Sequence, residues 1–281
     1  MKLIKPSYQI LEQKPSLEGI YEMIELAGRT CYKSTRKEGT TAKDFVDRMI
    51  NSQHYAMLEH GTVYLKIPSP VLNKSNQDYE GDGFNKYIRN KYSVVNYYAH
   101  YYYITTNYRV LVENGWLDDL KYLCEPTEFH EKRVTVRFTT SNGIMREFTR
   151  HRSHSFAIES TRYCNYSKDK FNNELTFIEP FWYNRQSLVL QKDLLISGLR
   201  EAEKHYLALI EVGCKPQEAR EVLPLATKCD MVMTGFTSDW DHLCRLRSSF
   251  AETGQPHPDM KALVDPLLKE FISRGYLEPL V

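Results

Sequence analysis

The segment KRVTVRFTTSNGIMREFTRHR, residues 132–152, constrains the fold more than any other part of the sequence. Val134, Val136 and Phe138 alternate with polar residues, which is the pattern of a strand with one buried face. The following TSNG contains Asn-Gly, the commonest short signal for a turn between antiparallel strands. The chain then continues through Ile144, Arg146 and Phe148. We therefore predict a β-hairpin whose returning strand ends in a basic cluster.

Helical and strand-like segments alternate along the rest of the chain. SLEGIYEMIELAGRTCY and TAKDFVDRMINSQH carry apolar residues at helical spacing, whereas KLIKP and GTVYLKI have the composition of strands. Long amphipathic segments, SLVLQKDLLISGLREAEKHYLALIEVG and HPDMKALVDPLLKEFISRGY, occupy the C-terminal half. Between them lies a short helix from Pro216 to Pro224, followed by TSDWDHLCRLRSSF with Ser238 as its expected cap. The sequence predicts one α/β domain covering residues 1–281.

Residues 72–130 differ in texture from their surroundings. NKSNQDYEGDGFNKY is polar and contains glycine, so we expect a loop. YSVVNYYAHYYYITTNYRVLVENGW follows, and we predict that this Tyr-rich run is helical. The whole segment is predicted to be an insertion that packs on its own core. The chain holds 20 tyrosines, which suit half-buried surfaces and interfaces.

Composition narrows the functional classes. The formal net charge is +1, so no global field recruits nucleic acid or a membrane surface. The six cysteines are scattered without a C-x-x-C pair, and the N-terminus has no apolar run typical of a secretion signal. No stretch of about 18 apolar residues is present that would span a bilayer. These features predict a cytoplasmic protein with free thiols.

The basic cluster and the hydroxyl groups after it have the chemistry of an anion site. Arg150, Arg152 and Arg162 carry guanidinium groups that match phosphate oxygens in pairs, and Ser160 and Thr161 add hydroxyl donors. The alternative is a solvated basic turn that pairs with nearby carboxylates, those of Glu147 and Glu159. The residues alone predict a local anion site, with nucleotide phosphate as the favoured ligand.

Other catalytic motifs are missing from the sequence. His151 and His154 lack the further ligands that a zinc site requires, and the spacing in HYAMLEH does not bring its histidines to one helical face. No G-x-S-x-G nucleophile elbow is present, and EGDGFNK lacks the spacing of a dinucleotide-binding loop. We expect no metal, and any bound nucleotide or flavin is held without a Rossmann loop.

The order of these motifs resembles that of the flavin-dependent thymidylate synthases. R-H-R followed after seven residues by Ser160 is similar to that family's signature, and the similarity continues to Arg162-Tyr163. HYAMLEH resembles the family's H-x-S-x-x-E-H segment, AREVLP its A-R-x-x-L-P, and DWDHLCRLR its N-F-x-x-L-R. The resemblance spans about residues 15–70 and 133–273 and leaves the segment 72–130 as the insertion.

The resemblance implies a fold and a reaction. Members of this family are homotetramers with a central, mostly antiparallel sheet flanked by long helices, and their active sites are shared between subunits. They convert dUMP to dTMP with methylenetetrahydrofolate as one-carbon donor and NADPH as reductant, through FAD. No cysteine nucleophile is required, in agreement with cysteines that show no activated context.

The resemblance also implies roles for individual residues. Contacts to FAD are expected from His54, Arg150, His151, Arg152, Ser238 and His242. Contacts to dUMP are expected from Glu147, Arg150, Ser160, Thr161, Arg162, Arg220 and Arg247. Of these, Arg247 is the expected catalytic residue, because a fixed cation at the O2/N3 edge of uracil stabilises developing negative charge.

Four positions depart from the family pattern. Ala56 replaces a usual Ser or Thr, Ile158 stands where Glu or Gln is frequent, and Phe236 and His242 replace asparagines. For Phe236 local packing is the favoured interpretation, and His154 lies off the motif, so we expect a surface or supporting position for it. Two alternatives stay open: a family member that has lost catalysis, or a single-stranded nucleic-acid-binding protein that stacks bases on tyrosines.

Overall fold

The structure, a computed structural model, describes residues 1–69, 85–251 and 254–280. The strands are β1 (Lys2–Ile4), β2 (Ser7–Leu11), β3 (Thr62–Pro68), β4 (Val94–Tyr98), β5 (Tyr101–Asn107), β6 (Arg133–Ser141), β7 (Ser155–Ile158), β8 (Thr176–Ile178) and β9 (Lys228–Phe236). The helices are α1 (Ser16–Tyr32), α2 (Ala42–Asn51), α3 (Asn85–Ile88), α4 (Tyr108–Asn114), α5 (Asn142–Phe148), α6 (Val189–Glu211), α7 (Pro216–Ala219), α8 (Thr237–Arg247) and α9 (Pro258–Ser273). Short 3₁₀ turns cover Tyr55–His60, Leu117–Tyr122, Asp169–Phe171 and Arg220–Val222.

The main sheet has the strand order β2-β6-β9-β7, and every neighbouring pair is antiparallel. Val134, Val136 and Phe138 of β6 share a buried cluster with Trp240 of α8 and Phe271 of α9. The opposite face carries polar residues of β6 and β9 and contacts α1. The alternation predicted for β6 is therefore confirmed, as is the mixed α/β class with an antiparallel central sheet.

The predicted hairpin at Asn-Gly is wrong. Asn142 and Gly143 begin helix α5 rather than a turn, and the side chain of Ser141 accepts the N–H of Ile144 at 3.2 Å as an N-terminal cap. Ile144 and Phe148 are both buried, and their spacing of four places them on one helical face. Over so short a segment, Ile144 and Phe148 fit both the alternation of a strand and the spacing of a helix. The cap at Ser141 favours the helix.

The Tyr-rich run is also not helical, apart from its last residues in α4. β4 and β5 form a hairpin whose turn residues, Ala99 and His100, adopt positive φ angles, and β5 pairs with β3 in a second, three-stranded sheet. Tyrosine and β-branched residues favour strands, and β5 is buried on both faces from Tyr102 to Asn107, which conceals any alternation. The polar loop predicted before this run falls largely on residues outside the described ranges.

The second sheet has a core of its own. Residues of α1, α2, β3, β5 and α4 form one buried cluster, and the clusters beneath the main sheet and α6 are separate. Outer tyrosines of the hairpin pack on other rings: Tyr98 stacks on Phe129 at 4.2 Å between ring centroids, and Tyr97 contacts Tyr102 at 4.8 Å. No helix in the described ranges is long and apolar enough to cross a membrane. The division into a single domain with an insertion stays a prediction.

Candidate active site

The end of helix α8 and the end of helix α5 bring three predicted site residues together. Arg247, the last residue of α8, donates from Nε to His151 Nε2 at 3.2 Å and from Nη1 to Glu147 Oε2 at 3.1 Å. His151 lies in the tight turn that follows α5, and it is 7% exposed. We call Glu147, His151 and Arg247 the Arg247 cluster.

The protonation state of His151 follows from this contact. Burial lowers its pKa to about 4, and the positive charge of Arg247 acts in the same direction. A neutral imidazole that accepts at Nε2 carries its proton on Nδ1. His242 lies on the outer side with its ring centroid 6.3 Å from that of His151. Arg247 is therefore held in place by one neutral acceptor and one carboxylate.

Other residues predicted to face a flavin lie on the surface. Arg150 and Arg152 flank His151 and are exposed, and His54 is exposed where it precedes the turn Tyr55–His60. The prediction of Ser238 as the N-terminal cap of α8 is wrong, because Phe236 occupies the cap position and Ser238 lies inside the first turn. There Ser238 is exposed, its N–H donates to Glu131 Oε1 at 3.2 Å, and its hydroxyl donates to the same oxygen.

A groove of about 600 Å³ contains the residues predicted to bind a nucleotide phosphate. Ser160, Thr161 and Arg162 line it from the loop after β7, and Arg220 lines it from the turn after α7. Arg220 Nη1 donates to Thr161 Oγ1 at 3.5 Å, and the Arg162 N–H donates to Ser160 Oγ at 3.3 Å. We call this the Ser160 groove. Among the described residues, Arg146 lines it from α5, whereas the members of the Arg247 cluster do not.

A buried charge cluster fixes one wall of the Ser160 groove, and the sequence did not predict it. The Glu159 side chain is 1% exposed, and its Oε2 lies 2.7 Å from Lys228 Nζ. The same oxygen accepts the Asp230 N–H at 3.1 Å, and Oε1 accepts the Tyr166 hydroxyl at 3.2 Å. Lys228 and Lys33 both contact Asp230 Oδ2. The available signal in the sequence was Glu159 itself, a carboxylate at the end of a buried strand and directly before Ser160.

The alternative prediction, a solvated basic turn that pairs with Glu147 and Glu159, is thus only partly correct. Glu147 does pair with an arginine, but its partner is Arg247, a hundred residues away in the chain. Glu159 pairs with Lys228 of β9 and with Lys33, which directly follows α1, rather than with the arginines around it. Arg150, Arg152 and Arg162 are consequently left exposed to solvent.

Packing accounts for His154, which lies off the motif, and for Phe236, which departs from the family pattern. His154 is 5% exposed, so a surface position is wrong, and its ring packs on Trp240 at 4.6 Å and lies 6.4 Å from that of His151. The guanidinium carbon of Arg133 lies over the ring of Phe236, 5.4 Å from the ring centroid, in agreement with the prediction that Phe236 serves local packing. Ala56 is exposed and Ile158 lines the Ser160 groove.

The available donors match the chemistry of a flavin dinucleotide and a nucleotide. Arg150 and Arg152 present guanidinium groups that can pair with a diphosphate, and His151 presents an Nδ1 proton. The Ser160 groove offers two hydroxyl groups and the guanidinium groups of Arg146, Arg162 and Arg220 for a second phosphate. In the described part of the chain, no group of three or more His, Cys, Asp or Glu side chains is arranged to hold a metal ion.

Comparison with known proteins defines the class. The family model described as thymidylate synthase complementing protein matches residues 92–273, about two thirds of the chain, and the chain belongs to this family. It is the family of the flavin-dependent thymidylate synthases, as its curated relatives are named. The match begins inside the segment predicted as an insertion, so the extent of that insertion stays a prediction.

Two relatives illustrate the similarity. The chain is 31% identical over 155 residues to a probable flavin-dependent thymidylate synthase of Paramecium bursaria Chlorella virus 1, covering 52% of this chain and 70% of the relative. It is 26% identical over 127 residues to the flavin-dependent thymidylate synthase of Haloarcula marismortui, covering 39% of this chain and 51% of the relative. The second alignment thus spans about half the length of that protein.

Two solved structures to which the chain is similar share little of its sequence. The UMP/dUMP methylase PolB from Streptomyces cacaoi, solved with 5-Br UMP, has a TM-score of 0.47 and 13% identity, with 99% of each chain covered. Thymidylate synthase X from Helicobacter pylori, solved with FAD and dUMP, has a TM-score of 0.41 and 14% identity, with 98% of this chain and 100% of that chain covered.

Proposed function

We propose that the protein is a flavin-dependent thymidylate synthase that reductively methylates dUMP to dTMP. Methylenetetrahydrofolate is the proposed one-carbon donor, and NADPH is the proposed reductant, acting through FAD. Membership of the family supports the reaction class. The observation that carries the proposal for this chain is the Arg247 cluster, a guanidinium group fixed between a neutral imidazole and a carboxylate.

Arg247 is the proposed catalytic residue. Its Nε and Nη1 are held by His151 and Glu147, which leaves Nη2 to face a uracil ring. A guanidinium group at the O2/N3 edge stabilises negative charge as it develops on the pyrimidine, and it needs no reorganisation because its position is already fixed. Glu147 lies beside it and is proposed to contact the same ring. Both side chains are proposed to orient dUMP, and the positive charge of Arg247 is proposed to bias its N3 toward the deprotonated form.

The Ser160 groove is the proposed site for the phosphate of dUMP. Ser160 and Thr161 supply hydroxyl groups, and Arg162 and Arg220 supply charged donors that match phosphate oxygens in pairs. The buried cluster around Glu159 orients the loop that carries Ser160, Thr161 and Arg162. Arg150 is proposed to contact the nucleotide from the other side, beside the Arg247 cluster.

FAD is proposed to bind along the exposed surface beside His151. Arg150 and Arg152 pair with its diphosphate, and His151 donates from Nδ1; further contacts come from His54, Ser238 and His242. The Ser238 hydroxyl already donates to Glu131, so it offers a ligand only acceptor lone pairs. When bound, the reduced flavin supplies the hydride that converts the transferred methylene group to a methyl group.

The functional assembly is proposed to be a homotetramer with shared active sites in the cytoplasm. Exposed apolar side chains support an interface on α6: Val189 is 64% exposed, Leu190 67% and Leu194 65%. Leu190 and Leu194 lie four residues apart on one face, which is the geometry of a contact surface. Light scattering on the purified protein measures the assembly, and a monomeric mass at micromolar concentration contradicts the shared-site proposal.

The reaction is tested with purified protein reconstituted with FAD. We expect flavin absorbance that NADPH bleaches in the absence of oxygen, and release of tritium from dUMP labelled at C5 that requires methylenetetrahydrofolate. The same assay with UMP measures whether the 2′-hydroxyl is tolerated. A protein that gains no flavin absorbance when FAD is added contradicts the proposal.

The role of Arg247 is tested by Arg247→Ala, with Arg245→Ala in the same helix turn as the matched control. Loss of a fixed charge at a developing anion costs about 10²- to 10³-fold in rate, so we expect at least a hundredfold loss of tritium release with FAD retained. Arg245 pairs with Asp241 on the helix surface, and its replacement is expected to change the rate less than about threefold. Equal effects of the two substitutions contradict the catalytic role.

A further inference from the structure

His154 is a buried titratable side chain that the proposed reaction does not use. It is 5% exposed, and neither of its ring nitrogens has a hydrogen-bond partner among the described residues. Few buried polar groups in folded proteins lack a partner, so the presence of an imidazole here needs a physical reason. That reason lies in what the ring packs against.

The His154 ring fills the gap between strand β9 and helix α8. It meets the indole ring of Trp240 edge to face, with 4.6 Å between the ring centroids and 78° between the planes. The indole is fixed in turn, because Trp240 Nε1 donates to the Val134 carbonyl at 3.1 Å. On the strand side, a Cβ atom at Gly235 would lie 2.8 Å from His154 Nε2, closer than side chains normally pack. The gap therefore admits the ring because this position of β9 has no side chain.

His154 also lies next to the imidazole of the Arg247 cluster. Its N–H donates to the His151 carbonyl at 3.2 Å, and the two ring centroids are 6.4 Å apart. His151 Nε2 accepts from Arg247 Nε at 3.2 Å, and only a neutral imidazole has a lone pair for that bond. The position of Arg247 thus depends on a His151 ring that stays neutral.

We propose that His154 is a positioning residue for Arg247, a role that rests on the proposed function. Its ring occupies the space beside His151, excludes water from that imidazole and so keeps it a neutral acceptor for the guanidinium group. Water in this space would hydrate an imidazolium and favour protonation. A charged His151 would lose its acceptor atom and repel Arg247. Because the role is to fill space, an apolar side chain of similar volume serves as well as imidazole.

The groups around the two rings agree with this role. The other titratable or charged side chains that face them, from α8, from the turn after α5 and from β6, are Arg247, His242, Arg150 and Arg133. All four are bases, so none of them stabilises an imidazolium, and the Glu147 carboxylate is paired with Arg247. Burial is the largest cause that lowers the pKa of His151 to about 4, and the charge of Arg247 follows. Access of water is therefore the change that raises this pKa while the cations stay in place.

The proposal is tested by titrating His151 in the whole chain without flavin or substrate. Protein labelled with ¹³C at histidine Cε1 is followed by NMR, and the His151 signal is assigned by its loss in His151→Gln. His154→Ala opens the space beside His151, so we expect the pKa of His151 to rise from about 4 to about 5 or higher, toward its ordinary value. His154→Leu is the matched control, because it keeps the space filled and is expected to leave this pKa unchanged.

The rate of tritium release from labelled dUMP gives a second readout. For His154→Ala, the rate relative to the unmodified protein is expected to be at least about twofold lower at pH 5 than at pH 8, because half or more of His151 is then charged. For His154→Leu, the relative rate is expected to be the same at both pH values. A purely structural role of His154 would lower the rate of His154→Ala equally at the two.

A measurement on the unmodified protein keeps the test independent of whether His154→Ala folds. The ¹⁵N shifts of the His151 ring are expected to show a neutral imidazole at pH 6 with its proton on Nδ1. A charged His151 at pH 6, an unchanged pKa in His154→Ala, or an equal rise in both variants would each overturn the proposal. The titration needs no turnover, so a protein that forms no dTMP but shows the expected pKa values contradicts the proposed function and supports the positioning of Arg247 by His154.

Discussion

Replacing Glu159 with glutamine tests how the wall of the Ser160 groove is held. The substitution keeps the shape of the side chain and removes its charge. In the folded protein this carboxylate contacts the Lys228 ammonium at 2.7 Å, the Asp230 N–H at 3.1 Å and the Tyr166 hydroxyl at 3.2 Å. Without it, Lys33 and Lys228 share the single carboxylate of Asp230.

The expected loss follows from the burial of the group. Removing one partner of a buried ion pair costs about 3–5 kcal/mol because the remaining charge stays out of water without compensation. Glutamine still accepts hydrogen bonds through its carbonyl oxygen, and Asp230 still neutralises part of the charge. We therefore expect a loss somewhat smaller than that of a fully broken pair, a fall of roughly 2–4 kcal/mol in the free energy of unfolding.

Urea unfolding followed by tryptophan fluorescence measures this loss. Glu221→Gln is the matched control, because Glu221 lines the same groove but its side chain is 76% exposed. Its pair with Arg220 is long, at 3.5 Å between Oε1 and Nε. Exposed pairs contribute about 0–1 kcal/mol, so the control is expected to change little. A loss below about 1 kcal/mol for Glu159→Gln, or equal losses for the two variants, would refute the reasoning.

Two further predictions concern buried histidines. His154 lacks partners for both ring nitrogens among the described residues, so His154→Leu is expected to change the free energy of unfolding by less than about 1 kcal/mol, and a loss above about 2 kcal/mol in urea contradicts this. Burial lowers the pKa of His60 and of His154 from 6.5, the value expected in the unfolded chain, to about 3. Between these two pH values the unfolded chain therefore binds more protons than the folded protein. Stability is therefore expected to be full above about pH 6.5 and to fall toward pH 3, measured as Tm against pH; a flat profile over that window excludes the neutral buried histidines.

Much of the fold could be predicted because local patterns agreed with the packing. The helical segment SLEGIYEMIELAGRTCY coincides with α1, and the amphipathic segment around residues 187–213 contains α6. Pro216 begins α7 as its fixed φ favours. In each case one continuous stretch carries the whole signal, so neighbouring residues suffice to define it.

The two errors in secondary structure arose where local patterns were ambiguous. At Asn142-Gly143 a turn signal competed with a capped helix, and burial of Ile144 and Phe148 against the sheet decided the outcome. In the Tyr-rich run, pairing with β3 buried both faces of β5, so no alternation was visible in the sequence. Strand pairing joins residues far apart in the chain, and a local window does not contain that information.

The sequence by itself determined which chemical groups are available and to which family the chain belongs, because motif order and residue type are properties of the chain. Only the tertiary structure decided which of these groups meet. It joined Arg247 to Glu147 and His151, and it turned Glu159 toward Lys228. The physical reason is that the pairing and the desolvation of charges depend on distances and burial that arise only when remote segments pack together.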